Sequence, residues 1–153
     1  MTLRIATASL DDLEALVPLF DGYRMFYGQP GDAGRARAFL RERLALRESV
    51  ILLAREGDAQ NVGFVQLYPG FSSVAARRLW ILNDLFVRPE SRGRGVARAL
   101  LERADRHAAD TGAVRLTLST GTDNHAAQAL YEALGWQRDD DLHYQKPVPA
   151  VPE

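Results

Sequence analysis

Val87-Arg88-Pro89-Glu90-Ser91-Arg92-Gly93-Arg94-Gly95-Val96-Ala97 joins two unlike runs, Leu79 to Val87 and Gly95 to Asp110. The first is strongly apolar, as a central strand covered on both faces should be. The second has helical spacing and is closed by Gly112. Pro89 ends the strand, and two glycines with small Ala97 let main chain approach a ligand without Cβ atoms in the way. The first turn of a helix carries N–H groups without intrahelical partners, and the helix dipole adds partial positive charge there. A strand-loop-helix of this kind suits an anion, and a diphosphate in particular. Arg92, Arg94 and Arg98 add charge-assisted donors around it.

Three other readings compete for this segment. A dinucleotide fingerprint needs glycine or alanine at position 98, where Arg98 stands, and the segment lies mid-chain. A P-loop needs Gly-Lys-Ser/Thr, which is absent. The plainest reading is a glycine-rich turn that only starts a helix; the three arginines and the glycine spacing together weigh against it.

Working outward, Thr2 to Ala6 reads as a short strand, and Ser9 as an N-cap with Asp11 and Asp12 in the first turn. Leu13, Leu16, Val17 and Phe20 recur at helical spacing toward Tyr27, with Pro18 as a place to bend. Gly28, Pro30 and Gly31 break that helix, and Gly34 to Glu48 forms a second. Val50 to Arg55 and Val62 to Tyr68 read as a hairpin through residues 57–61, followed by a loop from Pro69 to Ala76. Beyond the central helix come a strand at Val114 to Leu118, a helix at Asn124 to Leu134, and a final hairpin of Trp136 to Arg138 with Leu142 to Val148. The order β-α-α-β-β-β-α-β-α-β-β predicts an α/β (α+β) fold, a mixed sheet with helices on its faces. Residues 1–148 read as a single domain, and 149–153 as a loose tail.

Bulk composition narrows the function classes. The 153 residues carry 46% hydrophobic and 25% charged side chains and a formal net charge of -1. That is the mixture of a globular protein with no global basic field for nucleic acid or an anionic membrane. There is no cysteine. Disulfides, thiolate metal sites and a cysteine nucleophile are excluded together. His107, His125 and His143 show no metal-ligand spacing, so no metal is expected. The N-terminus lacks the layout of a signal peptide and no apolar run has membrane-spanning length, so a cytoplasmic protein is expected. A homodimer is compatible with the sequence, which does not specify an oligomeric state.

The chain resembles the GCN5-related N-acetyltransferase superfamily. That family's cofactor motif, Arg/Gln-x-x-Gly-x-Gly/Ala, is matched by Arg92-Gly93-Arg94-Gly95-Val96-Ala97. Its second motif, an Asn followed by a helix ending Leu-Tyr-Glu-x-x-Gly-Phe/Trp, is matched by Asn124 and by Leu130-Tyr131-Glu132-Ala133-Leu134-Gly135-Trp136. The motifs stand in the family order and the likeness covers nearly the whole chain. The resemblance implies a mostly antiparallel central sheet with a splayed strand pair. It implies acetyl-CoA lying where Leu79–Val87 diverges from Val114–Leu118, its diphosphate on the N–H groups of Arg92 to Ala97. Pantetheine would pair with the backbone of Leu85, Phe86 and Val87, an N–H near Leu85 or Phe86 would face the oxyanion, and Asn124 would bond the cofactor or the splayed strand. Asn124 fits a plain N-cap equally well.

Acetyl transfer to an amine needs the neutral amine, and an alkyl amine of pKa ~10.4 is neutral in only about one molecule per thousand at pH 7. Asn83 and Asp84 are polar residues inside the apolar run, so one of them can face the active site. Asp84 is the expected base or ammonium anchor; the competing reading is a carboxylate satisfied by its neighbours. The resemblance gives Tyr131 the role of protonating the departing thiolate, whose acid has pKa near ~8.5 as for cysteine; a helix tyrosine can also be core filling. Without cysteine, direct attack by the amine is expected, with rate gained from positioning.

Asp21-Gly22-Tyr23-Arg24-Met25-Phe26-Tyr27 is rich in aromatics. Tyr23, Phe26 and Tyr27 beside Asp21 are candidates to surround a cationic amine; the bland reading packs them between helix and sheet. A weak likeness to the polyamine- and histone-acetylating branch makes a small cationic amine or polyamine the expected acceptor. The alternatives are a protein or peptide amine, a CoA-binding module without turnover and, distantly, a nicotinamide-nucleotide enzyme.

Overall fold

The computed structural model describes residues 2–152, which divide into two units after Ser119. In the first unit Ser9 caps a 3-10 turn, Leu10–Asp12, through a reciprocal pair in which the Ser9 N–H donates to Asp12 at 2.9 Å. The turn leads directly into α1, Leu13–Phe26, with Pro18 on its exposed side. Asp32 caps α2, Ala33–Ala45, by accepting from the Arg35 N–H.

Five strands form one sheet in the order β1 (Leu3–Thr7), β2 (Val50–Glu56), β3 (Gln60–Ser72), β4 (Arg77–Val87), β5 (Leu116–Thr117). Neighbours are antiparallel except β4 and β5, which are parallel and connected through α3, Val96–Asp110. The sheet is thus mostly antiparallel with helices on its faces, as expected. One face carries Ile51, Leu53, Phe64 and Phe86 against Leu13, Leu16, Val17, Phe20, Ala36 and Leu40 of α1 and α2. The other receives α3, where the Trp80 indole lies 4.9 Å from His107 and donates to the Thr111 hydroxyl at 2.8 Å.

Several expected boundaries move. The loop read over Pro69 to Ala76 shrinks to residues 73–76, because β3 and β4 remain paired out to Ser72 and Arg77. The strand read over Val114 to Leu118 narrows to Leu116–Thr117, matched to Trp80 and Ile81. Beyond Ile81, β4 has β3 on one edge and no strand on the other among the described residues. This is the divergence that the resemblance implied.

The second unit, residues 120–152, contains α4, His125–Ala133. Gly135 follows it at φ 92, the left-handed turn that commonly stops a helix. The expected final hairpin of Trp136–Arg138 and Leu142–Val148 does not form; no described residue after Ala133 is in helix or strand. Asp139-Asp140-Asp141 puts like charges at the intended turn, and Pro147 removes a ladder donor from the second expected strand.

Candidate active site

The site begins with a fault in the sheet. Leu67 pairs with Leu82, but Gln66 pairs with Asp84, so Asn83 is an extra residue on β4. Such a bulge breaks the two-residue alternation of side chains. Trp80, before it, faces α3, whereas Phe86, after it, faces α1. In an unbroken strand both would share one face. The bulge therefore turns Asp84 away from α3 and toward α1.

Asp84 is 2% exposed. Its Oδ1 accepts from the Asn83 amide at 2.7 Å and its Oδ2 from the Gln66 amide at 2.6 Å. The Tyr23 hydroxyl joins the cluster, 3.2 Å from the Asn83 carbonyl oxygen and within hydrogen-bonding reach of the Asp84 carboxylate. Burial pushes the Asp84 carboxyl above the usual aspartate range, and the hydrogen bonds from Asn83, Gln66 and Tyr23 offset only part of that. Tyr23 is raised as well, by burial first and then by the Asp84 charge. Tyr68 is pushed up to about 12 by burial and by Asp84, with Arg43 acting the other way. The phenols therefore stay neutral, leaving Asp84 as the group that titrates.

The aromatic segment divides into two kinds of residue. Tyr23 packs on the core, its ring 6.0 Å from Phe64 and 6.2 Å from Phe20. Phe26 and Tyr27 are 61% and 60% exposed, so they do not pack helix against sheet. They form a ladder outward from Tyr23, with centroids 5.0 Å from Tyr23 to Tyr27 and 5.2 Å from Tyr27 to Phe26. Asp21, expected beside them as a charge for the acceptor, accepts the Asp32 N–H at 2.9 Å and so holds the loop into α2.

The loop before α3 makes a cradle from its backbone. Gly93 and Gly95 adopt φ 77 and 81, and a Cβ added at either would meet nothing within 4 Å. Gly95 caps α3, and the first N–H there with a backbone partner is Ala99, onto the Gly95 carbonyl at 3.1 Å. The N–H groups of residues 93–98 have no backbone partner among the described residues. Val96 is buried beneath the loop and Ala97 half-buried, while Arg92, Arg94 and Arg98 are exposed.

The three arginines already have protein partners. The Arg92 Nε donates to the Val87 carbonyl at 2.9 Å, and its guanidinium lies over Phe86 and Phe26, 5.6 and 5.8 Å from their centroids. Arg94 reaches Glu56 at 3.3 Å and the Glu90 carbonyl at 3.0 Å, and Arg98 pairs with Glu102 at 3.0 Å. Arg92 thus ties the cradle to the end of β4 and to the exposed aromatic ladder. Leu85 is half-buried opposite Val65, and Phe86 and Val87 are buried opposite Phe64 and Gly63.

Within the second unit, Asn124 accepts from the Ala127 N–H at 3.3 Å, so it is the N-cap of α4. Tyr131 lies on that helix with its ring 6.0 Å from Trp136, and its carbonyl accepts the Trp136 N–H at 3.0 Å.

The sequence reading passed over two residues of the Asp84 cluster. Gln66, at 0% exposure, is a polar residue inside the apolar run Val62 to Leu67, the same signal that singled out Asn83 and Asp84. Tyr68 offered no comparable signal, since tyrosine is ordinary in strands.

An acyl-CoA diphosphate fits the cradle: consecutive free N–H groups, two left-handed glycines and a helix N-terminus converge on one open surface. A model of the acetyltransferase (GNAT) family matches residues 16–136. An uncharacterized N-acetyltransferase of Bacillus subtilis (strain 168) is 46% identical over 97% of this chain and 99% of its own. The crystal structure of a probable acetyltransferase is 43% identical with a TM-score of 0.91, over 97% of this chain and 99% of that one. A thialysine N-epsilon-acetyltransferase of Bos taurus is 33% identical over 56% of this chain and 52% of its own length. This chain belongs to the GNAT acetyltransferase family and is an acetyltransferase whose acyl donor is acetyl-CoA.

Proposed function

We propose that the protein acetylates a primary amine of a small cationic molecule by direct attack, with Asp84 receiving the amine's proton. The observation that carries this reading is Asp84 itself: a buried carboxyl of raised pKa, turned by a bulge toward α1 on a strand whose other edge, beyond Ile81, has no strand partner among the described residues. A raised pKa makes a carboxylate a stronger base than an exposed one, which narrows the gap to an alkyl ammonium. Tyr23 and Tyr68 bring aromatic faces and no competing charge, and exposed Phe26 and Tyr27 extend the aromatic wall outward. The bovine relative's name specifies an N-epsilon amine, consistent with a flexible aliphatic acceptor.

When bound, acetyl-CoA supplies an acetyl group activated as a thioester. The N–H groups of residues 93–98 would hold its diphosphate, and the edge of β4 near Leu85, which has no strand partner among the described residues, would take its pantetheine. Asp84 removes one proton from the ammonium, freeing the nitrogen lone pair to bond the acetyl carbon; as the carbon–sulfur bond breaks the nitrogen sheds a second proton, which balances the one that the sulfur takes up. Tyr131 is assigned the return of a proton to the sulfur, since a phenol of pKa ~10 can protonate a thiolate whose acid is near ~8.5.

The test is thiol release from acetyl-CoA across polyamines, short diamines, lysine-like amino acids, aminoglycosides and basic peptides. The protein has no cysteine to contribute background. Release with the small cationic amines is the expected result; release with peptides alone, or with no amine, overturns the acceptor assignment.

A further inference from the structure

Gln66 is the most completely buried polar side chain next to Asp84, and its amide is only half used. Its Nε2 donates to the Asp84 Oδ2 at 2.6 Å, while its Oε1 is buried without a hydrogen-bonding partner among the described residues. A buried acceptor left unpaired is costly, and such an atom in a folded protein calls for an explanation. The proton state of Asp84 supplies one. As a carboxylate, Asp84 only accepts, and Nε2 serves it; as a carboxylic acid it must donate, and Oε1 can accept that proton after the amide turns over. We propose that Gln66 is a positioning residue that holds Asp84 in both protonation states, and so sets the pH at which the enzyme becomes active. This rests on the reading of Asp84 as the base.

Of the groups facing Asp84, Gln66 is the one with a buried acceptor left without a partner among the described residues. Asn83, its sequence neighbour, holds Oδ1. Tyr23 from α1 and Tyr68 from β3 are phenols shifted to higher pKa, and Arg43 from α2 acts on Tyr68 rather than on Asp84. A hydrogen bond donated to a carboxylate stabilises its charged form, and Gln66 is one of three such donors to Asp84.

The experiment is the pH profile of kcat/KM for one amine acceptor, measured for wild type, Gln66→Leu, Gln66→Glu and Asp84→Asn. The amine's own ionisation is common to all four proteins. Gln66→Leu is expected to move the acidic limb up by about one pH unit, the effect of one charge-assisted hydrogen bond. Gln66→Glu, close in shape, is expected to move it the same way because two carboxyls then share one proton; it decides the matter if the leucine variant does not fold. Acetyl-CoA affinity stays at the wild-type value in both. An acidic limb that coincides with wild type in both Gln66 variants, while Asp84→Asn is inactive, overturns the role of Gln66 alone. Wild-type turnover in Asp84→Asn overturns the base assignment and this inference with it.

Discussion

The Gln66 amide and the Asp84 carboxylate meet at 2.6 Å across the place where β3 and β4 lose register, so one extra residue, Asn83, decides which helix Asp84 faces. The same residue contributes a second amide to that carboxylate and a backbone oxygen to Tyr23. Bulge, buried charge and aromatic wall form one construction.

That construction costs stability, which gives a first prediction. The folded-state pKa of Asp84 lies above its ordinary value of 3.8. Below that ordinary value the carboxyl is protonated in folded and unfolded chains alike. As pH rises from there to the raised value, the unfolded chain releases the proton first, so wild-type stability falls through that window. Asn at position 84 does not titrate. Asp84→Asn is expected to gain on wild type in urea unfolding as pH rises above the ordinary aspartate value; a stability difference that does not vary with pH contradicts the raised pKa.

A second prediction concerns the cradle. At Gly93 and Gly95 an added Cβ meets nothing, so Gly→Ala is penalised by the positive φ alone, roughly 1–2 kcal/mol. Relaxation of that strain withdraws the N–H groups from the diphosphate. Either alanine variant is expected to raise the KM for acetyl-CoA about tenfold with kcat nearly intact. A fall in kcat at unchanged KM contradicts the assignment.

How much of this could be read from the sequence depends on the range of the interaction. The cradle was legible because its function needs a local pattern: glycine at 93 and 95, a small residue at 97 and a helix behind them. Asp84 was legible as a polar residue in an apolar strand. The bulge was not, since it exists only in the pairing of β4 with β3, residues eighteen apart at Gln66–Asp84. Without the bulge the facing of Asp84 cannot be derived, and Gln66 has no reason to be chosen. The hairpin read after α4 failed for the converse reason. Leu142, Tyr144 and Val148 suggest a strand, but all three are exposed, and alternation without a surface to cover does not make one. Likewise the charge on Arg92, Arg94 and Arg98 was evident, while their commitment to Val87, Glu56, Glu90 and Glu102 depended on the fold.

Gly63 gives a third prediction. A Cβ there would lie 2.7 Å from the Phe86 carbonyl oxygen and 3.3 Å from Val87. The neighbour is backbone of the site strand and cannot move aside cheaply. Gly63→Ala is expected to cost about 1–3 kcal/mol in denaturant unfolding; unchanged stability contradicts the close packing of β3 on β4.

Tyr131→Phe gives a fourth. Loss of the hydroxyl is expected to lower kcat at least tenfold if thiolate protonation limits turnover, with acetyl-CoA binding retained by calorimetry. Wild-type kcat in this variant removes Tyr131 from the chemistry.

The most direct test of the whole account is the turnover of Asp84→Asn with the best amine acceptor, measured together with its affinity for acetyl-CoA. The amide keeps the shape of the carboxyl but cannot take a proton. The account predicts a loss of roughly 10²–10⁴-fold in kcat/KM, with acetyl-CoA affinity unchanged. Turnover at the wild-type rate would contradict it.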